Sequence, residues 1–422
     1  MPRFSSQEVF LLSLVRSGLW GGEPSYPEER HAGDPSWGFM PDWKAIADMA
    51  KAQTVVGLVG EGIGRLPAEG NLPAGGTRRS PERPAETVSE ERGPIGREPR
   101  GMVGGRAPST EWSARQEALQ PMILQAFWTE RRNAEMDAFL SKLITKLREE
   151  GILALVVKGQ AVGHLYANPS VRQAGDIDLF LDRPNYQKAK AFLSEKATQV
   201  ESEGTDSLHL GMQLGKWTVE LHGTLHAGLN RRINAVQDRL QADLFQKGDF
   251  RRWECAGVEV LSPSPLFDAE YILLHCLQHL YYEGIGLRQF CDWAVHLDRF
   301  GLEIDRGALL KDLEDLGILE EWKGCAAFVV SFLGVPAEKV PLYDPKYGKR
   351  GARLCRVVLD GGNFCVNFIT PGKAERKLLL RKLTSFGEMS RQHARLFRIF
   401  PKGVLRTHVH KLRGGLKRIR QK

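Results

Sequence analysis

Seven residues, Gly175-Asp176-Ile177-Asp178-Leu179-Phe180-Leu181, constrain the fold more than any other stretch of the chain. The apolar members read as a buried strand, yet aspartate is depleted in strands. Side chains alternate along a strand, so Asp176 and Asp178 share one face while Ile177 and Leu179 share the other. A sheet built on this segment must bury one face and keep two neighbouring carboxylates on the opposite face. Such carboxylates repel each other and need a cation between them. A divalent ion that also touches phosphate oxygens meets that need, so the segment points to a two-carboxylate magnesium site.

The flanking sequence supplies partners in a sensible order. Residues 152–157 read as a buried strand, followed at once by Lys158-Gly159-Gln160 and a short helix through Tyr166. A glycine turn lets backbone N–H groups approach phosphate, and a helix start adds a favourable dipole. Residues 208–214 and 217–222 read as two strands joined by Gly215-Lys216, a plausible hairpin turn. In Thr218-Val219-Glu220-Leu221-His222, Val219 and Leu221 face one way, Glu220 and His222 the other. Glu220 thus offers a third acid, and three carboxylates can hold two metals. Lys158 and Arg172 are candidates for neutralising phosphate charge. Each piece alone is weak. Asp-x-Asp also occurs on solvated strand edges, Glu220 reads equally as a surface acid, Arg172 as a salt-bridge partner and Lys158 as an exposed strand end. The ordered combination carries the reading.

These residues also carry a resemblance. Lys158-Gly159-Gln160-Ala161-Val162, Tyr166-Ala167-Asn168-Pro169, Arg172-Gln173-Ala174-Gly175-Asp176-Ile177-Asp178-Leu179 and Val219-Glu220-Leu221-His222 resemble the uncharacterised nucleotidyltransferase family of the DNA polymerase β-like superfamily. The similarity continues upstream through residues 43–63, and downstream through 275–279, 287–293 and 361–364. It implies an α+β fold, a small mixed β-sheet nucleotidyltransferase core with helical N-terminal and C-terminal regions. It implies Asp176 and Asp178 as Mg2+ (or Mn2+) ligands, Glu220 as the third acid, and Gly159 in a phosphate loop. On that reading Gln160 also lies against the phosphates, with Lys158 and Arg172 nearby. The implied activity is metal-dependent transfer of a nucleoside monophosphate from an NTP to an acceptor hydroxyl, with pyrophosphate leaving. Glu220 is then also a candidate for helping to deprotonate the acceptor. The acceptor, whether small molecule, protein or RNA, is not supplied by the resemblance. Where the wider superfamily carries Gly-Ser or Gly-Gly, this chain has Gly159-Gln160. That longer side chain motivates the alternative, a non-catalytic nucleotide-sensing or partner-binding protein.

The 422 residues divide by composition into a helical region at 1–69, an insertion at 70–110, the core with its leading helix at 111–262, a helical domain at 263–400 and a basic tail at 401–422. Trp43, Ile46, Ala47 and Ala50 form one helical face. Gly60 and Gly62 suggest a dinucleotide loop, but the third glycine position holds Arg65, so a helix end is the better reading. Residues 70–109 are Gly-, Pro-, Arg- and Glu-rich and cannot bury enough surface to offset their ordering entropy. Met136, Phe139, Leu140, Leu143, Ile144 and Leu147 mark an amphipathic helix ending at Gly151. Pro184 opens another helix, and the chain after Pro265 reads as helical nearly to its end.

Charge is uneven. Residues 370–422 hold sixteen Lys/Arg against two Asp/Glu, a net +14, which leaves −6 on the rest of a chain whose total is +8. The basic end suits an anionic partner such as nucleic acid, or simply a solvated helix. No apolar run of about 18 residues is present, so no membrane span is expected. The six cysteines form no C-x-x-C pair, which suits reduced thiols in a cytoplasmic protein. His275 and His279 stand at i and i+4. Cys276 occupies the place of a metalloprotease glutamate, which favours helix packing or substrate lining over zinc. Arg288 and Asp292 read as a helix-surface ion pair, and His408 and His410 as part of the solvated basic end.

Overall fold

The computed structural model describes residues 2–25, 39–66, 110–203, 208–363 and 378–420; the insertion expected at 70–109 lies outside them. Among the described residues, strands β1 (Leu155–Val157), β2 (Ile177–Phe180), β3 (Gln199–Val200), β4 (His209–Leu214) and β5 (Trp217–His222) form one sheet in the order β1-β2-β5-β4-β3. β2 and β5 run parallel, and the other neighbouring pairs are antiparallel. Alternation then sorts the side chains. Ile177, Leu179, Leu210, Met212, Val219 and Leu221 are buried against Met136, Leu140 and Leu143 of helix Thr110–Glu149, and against Tyr186, Ala189 and Leu193 of helix Arg183–Ser194. The opposite face carries the acids. This is the α+β architecture expected, a small mixed sheet with helical regions before and after it.

Local signals explain where the elements start and stop. Asp182 caps Arg183–Ser194 by accepting from Asn185 N, with Pro184 in the first turn. Gly215, at φ 60, makes the β4–β5 turn. A second hairpin, β6 (Phe250–Cys255) and β7 (Val258–Pro263), was not read from the sequence. Its turn is Ala256-Gly257, both at positive φ, rather than the Asn-Gly that signals such turns. Ser262 Oγ donates to Val156 O at 2.7 Å and ties this hairpin to β1.

The N-terminal helices Ser6–Trp20, Trp43–Ala52 and Val56–Gly64 share one core with helices Pro265–Tyr282, Leu287–Phe300, Leu319–Phe328 and Gly348–Gly361. Phe10, Leu14, Ile46 and Val59 belong to the same cluster as Leu277, Phe290, Trp322 and Leu354. Gln53 Nε2 donates to Val358 O at 3.0 Å, and Arg356 Nη1 to Glu8 Oε2 at 2.8 Å. The glycines of Val56–Gly64 are helical, and two of the crossing glycines are reciprocal. A β-carbon at Gly18 would overlap the carbonyl of Leu58, and one at Gly62 the carbonyl of Leu14. Backbone cannot yield as a flexible side chain can. Gly62→Ala is therefore expected to destabilise the protein by about 1–3 kcal/mol in chemical denaturation.

The basic end is less solvated than its composition suggests. In helix Pro401–Arg420, Val404 and Thr407 are buried and Gly403 sits against Tyr281 and Glu321. Arg406 Nη2 donates to Glu321 Oε1 at 2.9 Å. His408 is not simply part of a solvated surface, because its Nδ1 lies 2.9 Å from His393 Nδ1.

Candidate functional site

The acidic face is built where β1, β2 and β5 lie side by side. β1 ends at Val157 and runs directly into Lys158, whose backbone takes the left-handed value φ 51, with Gly159 following at φ 26. A non-glycine residue there is sterically disfavoured. A β-carbon on Gly159 would stand 3.3 Å from Asp176 O, so the turn passes close to the start of β2. The loop before β2 is held from the long helix. Asn133 Nδ2 donates to Arg172 O at 2.8 Å and Arg132 Nη2 to Gly175 O at 3.1 Å. The parallel register sets Asp178 beside Glu220 and Phe180 beside His222. Carboxylate oxygens of Asp176, Asp178 and Glu220 lie within 4.8 Å of one another.

The three acids are not alike. Asp178 is 2% exposed, and its Oδ1 lies 2.9 Å from Lys158 Nζ and 2.7 Å from His222 Nε2. Burial pushes its pKa up, but Lys158 and His222 outweigh that and hold it below the ordinary aspartate value. Glu220 accepts from His209 Nε2 at 3.2 Å and lies 3.4 Å from His222 Nε2. Those two imidazoles hold it well below the usual carboxylate range. Asp176 has the opposite fate. Burial, then the charges of Asp178 and Glu220, raise its pKa against the pull of Lys158 and Arg172. Lys158 loses to burial but gains more from Asp178 and Tyr271, and stays firmly charged. Ionising Asp176 is thus opposed by its two acidic neighbours, and a cation between the three carboxylates would relieve that repulsion. Three hard oxygen donors converging within 4.8 Å fit a divalent ion such as Mg2+ or Mn2+.

Gln160 is turned away from this face. Its side chain is buried, and its Nε2 donates to Asp137 on helix Thr110–Glu149. Arg172 is 7% exposed and engaged elsewhere. Its Nε and Nη2 donate to Asp292 Oδ1 and Oδ2 at 3.0 and 2.8 Å, and Tyr166 Oη also donates to Oδ1 at 2.7 Å. This corrects the expected surface pair of Arg288 with Asp292. Asp292 is buried and pairs with Arg172, while Arg288 Nη1 donates to Gln173 O at 2.9 Å. The reason is topological: the helix Leu287–Phe300 lies against the loop before β2, so a residue distant in sequence reaches Asp292 first.

Helix Pro265–Tyr282 packs against part of the acidic face, with Tyr271 and Phe267 beside Leu155, Val157 and Phe180. Lys158 Nζ stands 5.7 Å from the centroid of the Tyr271 ring. One turn on, burial and the nearby charge of Lys158 hold His275 well below the usual histidine pKa. His275 Nε2 meets His279 Nε2 at 3.2 Å, and His279 Nδ1 lies 3.1 Å from Glu283 Oε2. Among the described residues, no third group joins His275 and His279 in a metal-ligand cluster. Sequence reasoning gave no role to His209, His222 or Tyr271. The signal for the first two was present. A two-residue turn at Gly215-Lys216 sets His209 opposite His222, two positions beyond Glu220 on its face. Tyr271 had no local signal, since its place depends on how a distant helix packs.

Comparison with known proteins supplies the last observation. No curated protein and no solved structure matches the chain. The family model described as uncharacterised nucleotidyltransferase matches residues 105–334. The match spans the sheet, both hairpins and the helices that cover the acidic face, and stops short of residues 43–63 and 361–364. It covers more than half of the chain, and the protein belongs to this family of uncharacterised nucleotidyltransferases.

Proposed function

We propose that the protein transfers a nucleoside monophosphate from an NTP to an acceptor hydroxyl. The observation that carries this reading is the convergence of Asp176, Asp178 and Glu220 beside the Lys158-Gly159 turn. In the reaction an acceptor oxygen bonds to the α-phosphorus, the bond from that phosphorus to the β-bridging oxygen breaks, and pyrophosphate departs with the electron pair. The acceptor proton passes to a base or to solvent. Asp176, Asp178 and Glu220 would hold divalent metal, which when bound polarises the phosphoryl group and neutralises developing charge. The chain's own contribution is positioning. Lys158 and His222 fix the Asp178 carboxylate, and His209 and His222 keep Glu220 ionised, which suits a ligand better than a base. The turn at Gly159 brings the backbone close to Asp176, where its N–H groups would meet phosphate.

The test is incorporation from each of four α-labelled NTPs, with Mg2+ or Mn2+ and cell extract as acceptor source. Labelled product and released pyrophosphate are expected with at least one NTP. No incorporation under any of these conditions overturns the reading. A nucleotide sensor is the second reading, and one observation favours it: Asp178 is already satisfied by Lys158 and His222. Calorimetry that shows tight NTP binding without pyrophosphate release supports the sensor.

A further inference from the structure

The polar face of the sheet holds a second donor set beside the three acids. His209 and His222 are cross-strand partners on β4 and β5, with ring centroids 4.8 Å apart. Glu220 lies two residues before His222 on the same strand, so its side chain shares their face. One atom from each of His209, Glu220 and His222 lies within 4.8 Å of the others. In the contacts made to Glu220, both imidazoles present Nε2, so two ring nitrogens converge on one carboxylate. Gly211 stands opposite Glu220 in the register. A β-carbon there would come 2.7 Å from Glu201 Oε2. The missing side chain therefore admits a further carboxylate next to this set.

We propose that His209, His222 and Glu220 form a second divalent-metal position, selective for Mn2+, Co2+ or Zn2+ over Mg2+, with Glu220 shared between it and the Asp176–Asp178 pair. Two imidazoles and one carboxylate make a borderline ligand set. Nitrogen ligands favour Zn2+ and the later first-row ions, whereas Mg2+ prefers oxygen. Occupancy has a local consequence. The His222 nitrogen that binds the ion is the one now 2.7 Å from Asp178 Oδ1. Filling the imidazole position removes one of the two donors on that oxygen and frees Asp178 for a ligand of its own. The assignment rests on the geometry of β4 and β5 and does not require nucleotide transfer.

The experiment is pulsed electron paramagnetic resonance of the full-length protein loaded with Mn2+, together with Zn2+ and Mg2+ titrations. Imidazole 14N coupling to bound Mn2+ is expected in the unmodified protein and in Asp176→Asn. His209→Ala is expected to reduce that coupling to the single imidazole of His222 and to lose at least about tenfold in Zn2+ affinity, with Mg2+ binding unchanged. Bound Mn2+ without nitrogen coupling in the unmodified protein overturns the assignment and needs no variant. So does unchanged Zn2+ affinity and stoichiometry in a folded His209→Ala. Failure of the transfer reading has a different signature, since nitrogen-coupled Mn2+ would then persist in a protein that processes no NTP.

Discussion

Asp176→Asn is expected to cut nucleotidyl transfer by on the order of 1,000-fold, yet leave the protein at least as stable as before. Asp178→Asn is expected to cut activity similarly and to destabilise as well. The difference comes from the partners. Asp176 carries a pKa raised by burial and by its two acidic neighbours, so ionisation there opposes folding at neutral pH. The sign follows from linkage. With the folded pKa above the unfolded one, the cost is absent at low pH, grows as pH rises through that interval, and persists above it. Asparagine removes the charge and with it the cost. Asp178 instead holds Lys158 and His222. Neutralising it strands a nearly buried ammonium, and losing one partner of a buried pair costs about 3–5 kcal/mol. Urea melts of the two variants, run beside the activity assay, give the comparison. Equal stability losses would show that the two carboxylates are not differently compensated.

The second large effect concerns Arg172. Arg172→Ala and Asp292→Ala are each expected to cost about 3–5 kcal/mol, because each leaves an uncompensated charge in a buried site. The pair Arg172→Met with Asp292→Leu is expected to recover most of that loss, since apolar side chains of similar size need no counter-charge. The double-mutant cycle isolates the coupling. It also separates two roles for Arg172. If the guanidinium acts on the site only by anchoring the loop before β2, Asp292→Ala weakens NTP binding as much as Arg172→Ala does. A loss confined to Arg172→Ala would indicate direct contact with phosphate.

The acidic cluster was legible because alternation is a local rule. Strand periodicity set Asp176 with Asp178, and Glu220 with His222, each pair on one face of its own strand. The missing third glycine pointed to a helix end, where the structure has a separate helix, Val56–Gly64. What was not legible depended on distant packing. Nothing in the sequence near Asp292 announces Arg172, which lies 120 residues earlier. Tyr271 reaches Lys158 only because Pro265–Tyr282 crosses the acidic face. The hairpin at 250–263 escaped because Ala256-Gly257 is a weak turn signal and Arg251, Arg252 and Glu254 blur the alternation. Gln160 shows the same limit in reverse. Its length suggested an obstruction, but its direction is set by Asp137 on another element.

Helix Thr110–Glu149 lends Met122 to the helical core and Met136, Leu140, Leu143, Ile144 and Leu147 to the sheet core. It runs for 40 residues with Pro121 inside it, a length that spans about 60 Å in an unbroken helix, and it packs into both cores. The two cores are therefore expected to melt in one transition rather than in sequence. Any clamshell opening between the sheet and Pro265–Tyr282 would therefore have to displace a helix that both cores share.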